Sequence, residues 1–167
     1  MEKNLFKIGL LYVNIFLIQV MLLRYLDLYN VAFCFGFLLF PILLPKGSPL
    51  FNLIIGFLFG MSIDIFENTI GFNTACMVLI MYLRPRILAL SDIETEDELI
   101  TLRLVGFREF IVYSMLIIFI YCLFYFFVAS FNLDFFWRNT GRIFASSLYT
   151  FVLILVSQYL FFHKQKR

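Results

Sequence analysis

Polar breaks, all but one of them short, divide the chain into six apolar segments, and that division sharply limits what it can fold into. The segments run over residues 5–23, 28–44, 50–66, 70–83, 110–131 and 143–162. The first, fifth and sixth approach the ~20 residues that an α-helix needs to cross a hydrocarbon core of ~30 Å. The second and fourth are shorter, and the second carries Pro41, so a kink or a partly unwound stretch is expected there. With 24 Phe in 167 residues and only 14% charged residues, the chain has too little polar surface to enclose a soluble core. The expected fold is therefore an all-α integral membrane protein, a compact bundle of six transmembrane helices forming one domain over 1–167.

Basic residues set the expected direction. With both termini cytoplasmic, the inner segments hold Lys3, Lys7, Lys46, Arg84, Arg86, Arg103, Arg108, Lys164, Lys166 and Arg167. The outer segments hold Arg24, Arg138 and Arg142, so ten of the 13 basic residues lie inside. Basic residues at both ends require an even number of crossings. The apolar run up to Leu23 is long for a signal peptide, and Arg24-Tyr25-Leu26-Asp27 follows it in place of a small-x-small site, so it reads as a retained first span. Trp137 and Arg138, with Phe135 and Phe136, mark the outer boundary before the sixth segment.

Within the third segment, Gly56, Gly60 and Asp64 are spaced four apart, and Gly71 follows after a short break. Steps of four return to nearly the same helix face, so the three form one stripe. Bare glycines let another helix backbone approach closely, and a carboxylate on that face meets protein rather than lipid. The approaching helix is either another part of this chain or a partner's. Asp64 lies ~21 Å along a helix beginning near Leu50, at its outer end, where the dipole disfavours an anion. It needs a compensating partner. Arg24 is the preferred one, with Arg142 and Arg138 as alternatives; an ion pair or cap, a binding role, and proton-coupled transport are the readings open to Asp64. Gly71 is expected to begin the fourth span, with Asn73 and Thr74 in its first turn.

Arg84-Pro85-Arg86 is expected to stop the fourth span with two interfacial anchors, opening a long inner connection to Glu109. Asp92, Glu94, Glu96, Asp97 and Glu98 make this connection acidic. Thr95 and Glu98 fit a capping box for a helix presenting Leu99, Ile100, Leu104, Val105 and Phe107 on one side. It reads either as an interfacial helix or as a docking surface for a cytoplasmic partner. Cys34, Cys76 and Cys122 all fall inside apolar runs, without a C-x-x-C, and the single His163 lies in the basic tail. They read as small buried hydrophobes rather than metal ligands. The sequence carries no nucleophile elbow, H-E-x-x-H or P-loop, and its basic residues form no continuous patch. Neither enzyme chemistry, a cofactor nor nucleic-acid binding is expected.

The pattern Gly56-x-x-x-Gly60-x-x-x-Asp64 followed by Gly71-x-x-x-Ala75 resembles the rod shape-determining membrane protein MreD family. The match in motif covers about 25 residues, while the number of spans and the basic ends agree in layout. Met61 and Ser62 depart from the more aliphatic run that the family suggests at that point. The resemblance implies a non-enzymatic subunit of the bacterial cell-elongation machinery in the inner membrane. Its implied partners are an MreC-like membrane-anchored protein and, through it, MreB-like filaments and the peptidoglycan polymerase and transpeptidase. It also implies a six-helix fold similar to the substrate-binding subunits of energy-coupling-factor vitamin transporters. The alternative function is then a small-molecule (vitamin) binding transporter subunit, in which Asp64, Asn73 and Thr74 would line an outward pocket.

Overall fold

The computed structural model describes residues 2–21, 32–69, 71–93, 99–130 and 139–162. Regular structure in them is helical: α1 (Glu2–Met21), a 3₁₀ turn (Gly36–Leu38) running into α2 (Leu39–Leu43), α3 (Pro49–Glu67), α4 (Phe72–Leu90), α5 (Leu102–Val105), α6 (Phe107–Ser130) and α7 (Thr140–Phe162). Among the described residues, α3, α4, α6 and α7 are long and apolar enough to cross a membrane, and α1 contributes a shorter apolar stretch, Ile8–Gln19. Large apolar side chains such as Ile54, Phe57, Met115, Leu148 and Val152 point outward, while Asn52, Asp64, Asn73, Arg84 and Thr150 are buried. An apolar exterior around a polar interior suits hydrocarbon as the surrounding solvent.

The turn chemistry around α3 follows from its sequence. Ser48 caps the helix, its hydroxyl accepting from the Phe51 N–H at 3.3 Å, and Pro49 occupies the first turn, where no N–H is required. At the other end Asn68 closes the helix in the left-handed conformation, φ 55°, its N–H returning to the Asp64 carbonyl. Gly71, at φ 76°, precedes α4. A methyl added at Gly71 meets nothing within 4 Å, so within the chain its role is conformational.

The glycine stripe is filled by the chain's own α4. A methyl group on Gly60 would sit 2.7 Å from Thr74 Cα and 3.0 Å from the Asn73 carbonyl oxygen; one on Gly56 would meet Met81 Cγ at 2.5 Å. Both glycines are buried, so the face has no room for a second helix.

The second apolar segment is not a simple helix. Residues 32–35 carry no helix, and a single 3₁₀–α run then covers Gly36–Leu43. From Phe35 to Leu44 it is almost wholly enclosed, with Phe40 stacked on Phe59 (4.4 Å) and Phe37 edge-on to Tyr121 (5.5 Å). The unwinding expected around Pro41 falls earlier, at 32–35. Pro41 itself sits in the first turn of α2, where a proline is tolerated.

Two boundaries depart from expectation. α4 does not stop at Arg84-Pro85-Arg86; it continues through Pro85 to Leu90. The proline is exposed, so its ring points away from the packed side, and Arg84 is buried rather than anchored at an interface. The helix expected to start at Thr95 does not run on, because Leu99, Ile100 and Thr101 are non-helical and α5 spans only Leu102–Val105. Gly106, at φ 103°, then breaks the chain before α6. Residues 94–98, with the capping box and most of the acidic cluster, lie outside the described residues, as do Phe135, Phe136, Trp137, Arg138 and His163.

The contrast between the two stripe glycines yields a stability prediction. Gly60→Ala meets backbone, which yields little, whereas Gly56→Ala meets a flexible methionine. Gly60→Ala should cost about 1–3 kcal/mol and Gly56→Ala less. Thermal unfolding in detergent followed by size-exclusion recovery checks the order, and equal midpoints would remove the backbone-contact argument.

Candidate functional site

Polar side chains gather at two ends of the bundle. At the first, the Asp64 carboxylate, one turn before the end of α3, reaches the start of α4. One oxygen accepts the Asn73 N–H at 3.0 Å and the Thr69 hydroxyl; the other accepts the Thr74 N–H at 2.8 Å and the Thr74 hydroxyl. The α4 N-terminus has no side-chain cap of its own, because Gly71 stands at the cap position. Asp64 therefore caps α4 from the neighbouring helix, and the positive end of the α4 dipole compensates the carboxylate. No arginine among the described residues is bonded to Asp64; Arg142 is described, while Arg24 and Arg138 lie outside. The compensation sought in an ion pair is supplied here by backbone N–H groups.

Asn73 extends this cluster. Its side chain is 0% exposed, donates to Glu67 Oε2 (3.2 Å) and Thr69 Oγ1 (3.1 Å), and accepts from the Tyr121 hydroxyl (2.5 Å). Both N–H donors of the amide and its carbonyl oxygen are thus engaged. Gln19, 2% exposed on α1, joins from the other side: its Nε2 donates to Cys34 O (3.2 Å) and Glu67 Oε1 (3.5 Å), and its Oε1 accepts the Phe37 N–H (3.1 Å). Two further side chains, both on α7, serve the same irregular stretch. Ser146 Oγ accepts the Phe33 N–H at 2.9 Å, and Thr150 Oγ1 accepts the Phe35 N–H at 3.2 Å. Backbone without helix or sheet partners is thus satisfied by side chains from flanking helices, as a water-free interior requires.

At the opposite end of the segment lies Arg84, 1% exposed. Its Nε donates to Pro41 O and to the Tyr113 hydroxyl, both at 2.9 Å; Nη1 donates to Pro45 O at 3.2 Å and Nη2 to Leu44 O. Four oxygens surround the guanidinium, and none is a carboxylate. They are the open carbonyls at the C-terminal end of α2 and just beyond, where a helix dipole favours a cation. Beside them the Ile100 N–H donates to Leu43 O at 3.0 Å, with Ile93 and Ile100 buried, so the α4–α6 connection is tied into the same cluster.

A cavity of about 190 Å³ opens next to the first cluster, lined by Gln19, Phe33, Cys34, Phe35, Glu67, Thr69 and Tyr125. Asp64, Asn73 and Thr74, expected to line an outward pocket, are absent from this lining; their polar atoms are engaged in the α3–α4 junction. Among the described residues no group of three or more His, Cys, Asp or Glu is placed to hold a metal ion. Cys34, Cys76 and Cys122 are buried. Gln158, on the buried stripe of α7, has both side-chain polar atoms enclosed without a hydrogen-bond partner.

Sequence reasoning singled out Gly60 and Asp64 but missed Gln19, Tyr121 and the role of Arg84. A polar residue isolated in an apolar run is a usable signal for Gln19, since burial forces such a group to find a partner. Arg84 carried the weaker signal, because a basic residue near a proline also fits an interfacial stop. No family model, curated protein or solved structure matches the chain.

The two clusters predict different mutational sensitivities. Asp64→Asn keeps one acceptor but turns an amide N–H₂ toward donors, so a loss of about 1–3 kcal/mol is expected, with Asp64→Ala at least as severe. Arg84→Lys keeps the charge but cannot span Pro41, Leu44 and Pro45 together, and is expected to cost about as much as Arg84→Gln. Folded yield in detergent reads both; full rescue by lysine would show that charge rather than fan-shaped donation matters.

Proposed function

We propose that this protein is a non-enzymatic scaffold subunit of the bacterial cell-elongation machinery, crossing the inner membrane six times with both termini cytoplasmic. On this reading α1, the broken segment 32–44, α3, α4, α6 and α7 are the six crossings. Its partners are an MreC-like membrane-anchored protein and, through it, MreB-like filaments and the peptidoglycan polymerase and transpeptidase. One observation carries the reading: the residues behind the MreD resemblance form a single structural module. Gly56 and Gly60 admit α4, Asp64 caps it, and Gly71 makes the turn between the helices. A motif spent wholly on holding two helices together supports a role in assembly.

Partner contact through the Gly56–Asp64 face does not form part of the proposal, since α4 fills that face. Partner helices instead meet the outward apolar surfaces. Depleting the protein from a rod-shaped host should round the cells, and the MreC-like protein should co-purify from gently solubilised membranes. Unchanged shape together with normal recovery of the elongation complex would overturn the scaffold reading. Gly60→Leu does not serve as an interface probe, because it breaks the α3–α4 junction first.

A second reading, a vitamin-binding transporter subunit, draws support from the cavity of about 190 Å³ at the Asp64 end. Polar and aromatic walls around a small open cavity suit a small organic ligand. It predicts a vitamin requirement on depletion with cell shape retained, the reverse of the scaffold outcome.

A further inference from the structure

The broken segment is bonded at both ends to different parts of the bundle and is helical and buried between them. At one end the Ile100 N–H holds Leu43 O at 3.0 Å, with the Arg84 guanidinium on the neighbouring carbonyls. At the other, Gln19 holds both Cys34 O and the Phe37 N–H, and through Glu67 it meets the α3–α4 junction. The run Gly36–Leu43 between these anchors is continuous 3₁₀ and α-helix inside a nearly sealed apolar sleeve. A close-packed interior resists gradual deformation, so such an element moves as a unit or not at all.

We infer that the segment from Cys34 to Leu44 is a strut coupling the Ile100 connection to the polar cluster around Gln19 and Glu67 at the other end of the bundle. Displacing Ile100 removes the N–H from Leu43 O, and the carbonyl regains a donor only if the segment shifts. That shift draws Cys34 and Phe37 away from the single Gln19 side chain serving both. Movement of the α4–α6 connection at Ile100 is therefore transmitted to the far cluster, and the coupling acts equally in reverse. The inference is independent of the scaffold reading, since it names no partner and its test uses the purified chain alone.

The three native cysteines provide the readout. Cys34 belongs to the strut, whereas Cys76 and Cys122 sit buried on α4 and α6 outside it. Full-length protein in detergent, wild type and Ile100→Ala, is treated with N-ethylmaleimide and each cysteine's rate is followed by peptide mass spectrometry. Ile100→Ala should speed Cys34 alkylation about fivefold or more and leave Cys76 and Cys122 unchanged. Leu104→Ala, at an exposed α5 position, should change none of them. An unchanged Cys34 rate, or acceleration of all three thiols together, would overturn the strut. Should Ile100→Ala not fold, Gln19→Ala tests the reverse direction by deuterium exchange at the Ile100 amide. Faster exchange there supports the coupling; unaltered protection sinks it.

Discussion

The α3–α4 hairpin depends on one carboxylate. In a water-free interior the first N–H groups of a helix must find acceptors within the protein, and α4 begins with glycine, which offers none. Asp64 accepts two of these N–H groups, those of Asn73 and Thr74, from the preceding helix, and the same contact solves its own problem. An anion near the C-terminal end of α3 is unfavourable there, yet it rests against the favourable end of α4. The glycines follow from this geometry. Only if Gly60 is bare can the backbone of Asn73 and Thr74 come close enough for a side chain as short as aspartate to reach across.

The same rule explains several other buried polar side chains. A stretch without regular hydrogen bonding cannot stand in hydrocarbon unless neighbours complete it. Gln19, Ser146 and Thr150 complete residues 33–37, while Arg84 and the Ile100 amide complete the end of α2. Arg84 illustrates how a cation is held inside a bundle with no carboxylate bonded to it. Converging carbonyls and one phenol distribute the compensation over several dipoles. Polar chemistry in this protein is concentrated on architecture, and this gives the scaffold reading its physical basis.

What was readable in advance was local. Long apolar runs foretold α3, α4, α6 and α7, and spacing by four foretold a close approach at Gly56 and Gly60. Where inference fell short, the deciding partner lay far along the chain. Arg84 looked like an interfacial anchor because its acceptors, Pro41 to Pro45, are some forty residues away and converge only in three dimensions. For Asp64 the sequence left an ion pair or a cap open, and the backbone N–H groups of Asn73 and Thr74 that it caps are invisible in a list of residue types.

By itself, then, the sequence determined that α3, α4, α6 and α7 are helices long and apolar enough to cross a membrane, and that α3 carries a bare, acid-tipped face. Those properties depend on composition and on periodicity within one element. Only the tertiary structure decided what that face receives, that α4 passes through Pro85, and that an irregular segment runs through the core between Gln19 and Arg84. Each of those outcomes rests on satisfying buried backbone groups with side chains from other helices, and that pairing exists only after the helices have packed. Gly56, Gly60 and Asp64 announced a contact; the fold determined that the contact is with the chain's own next helix.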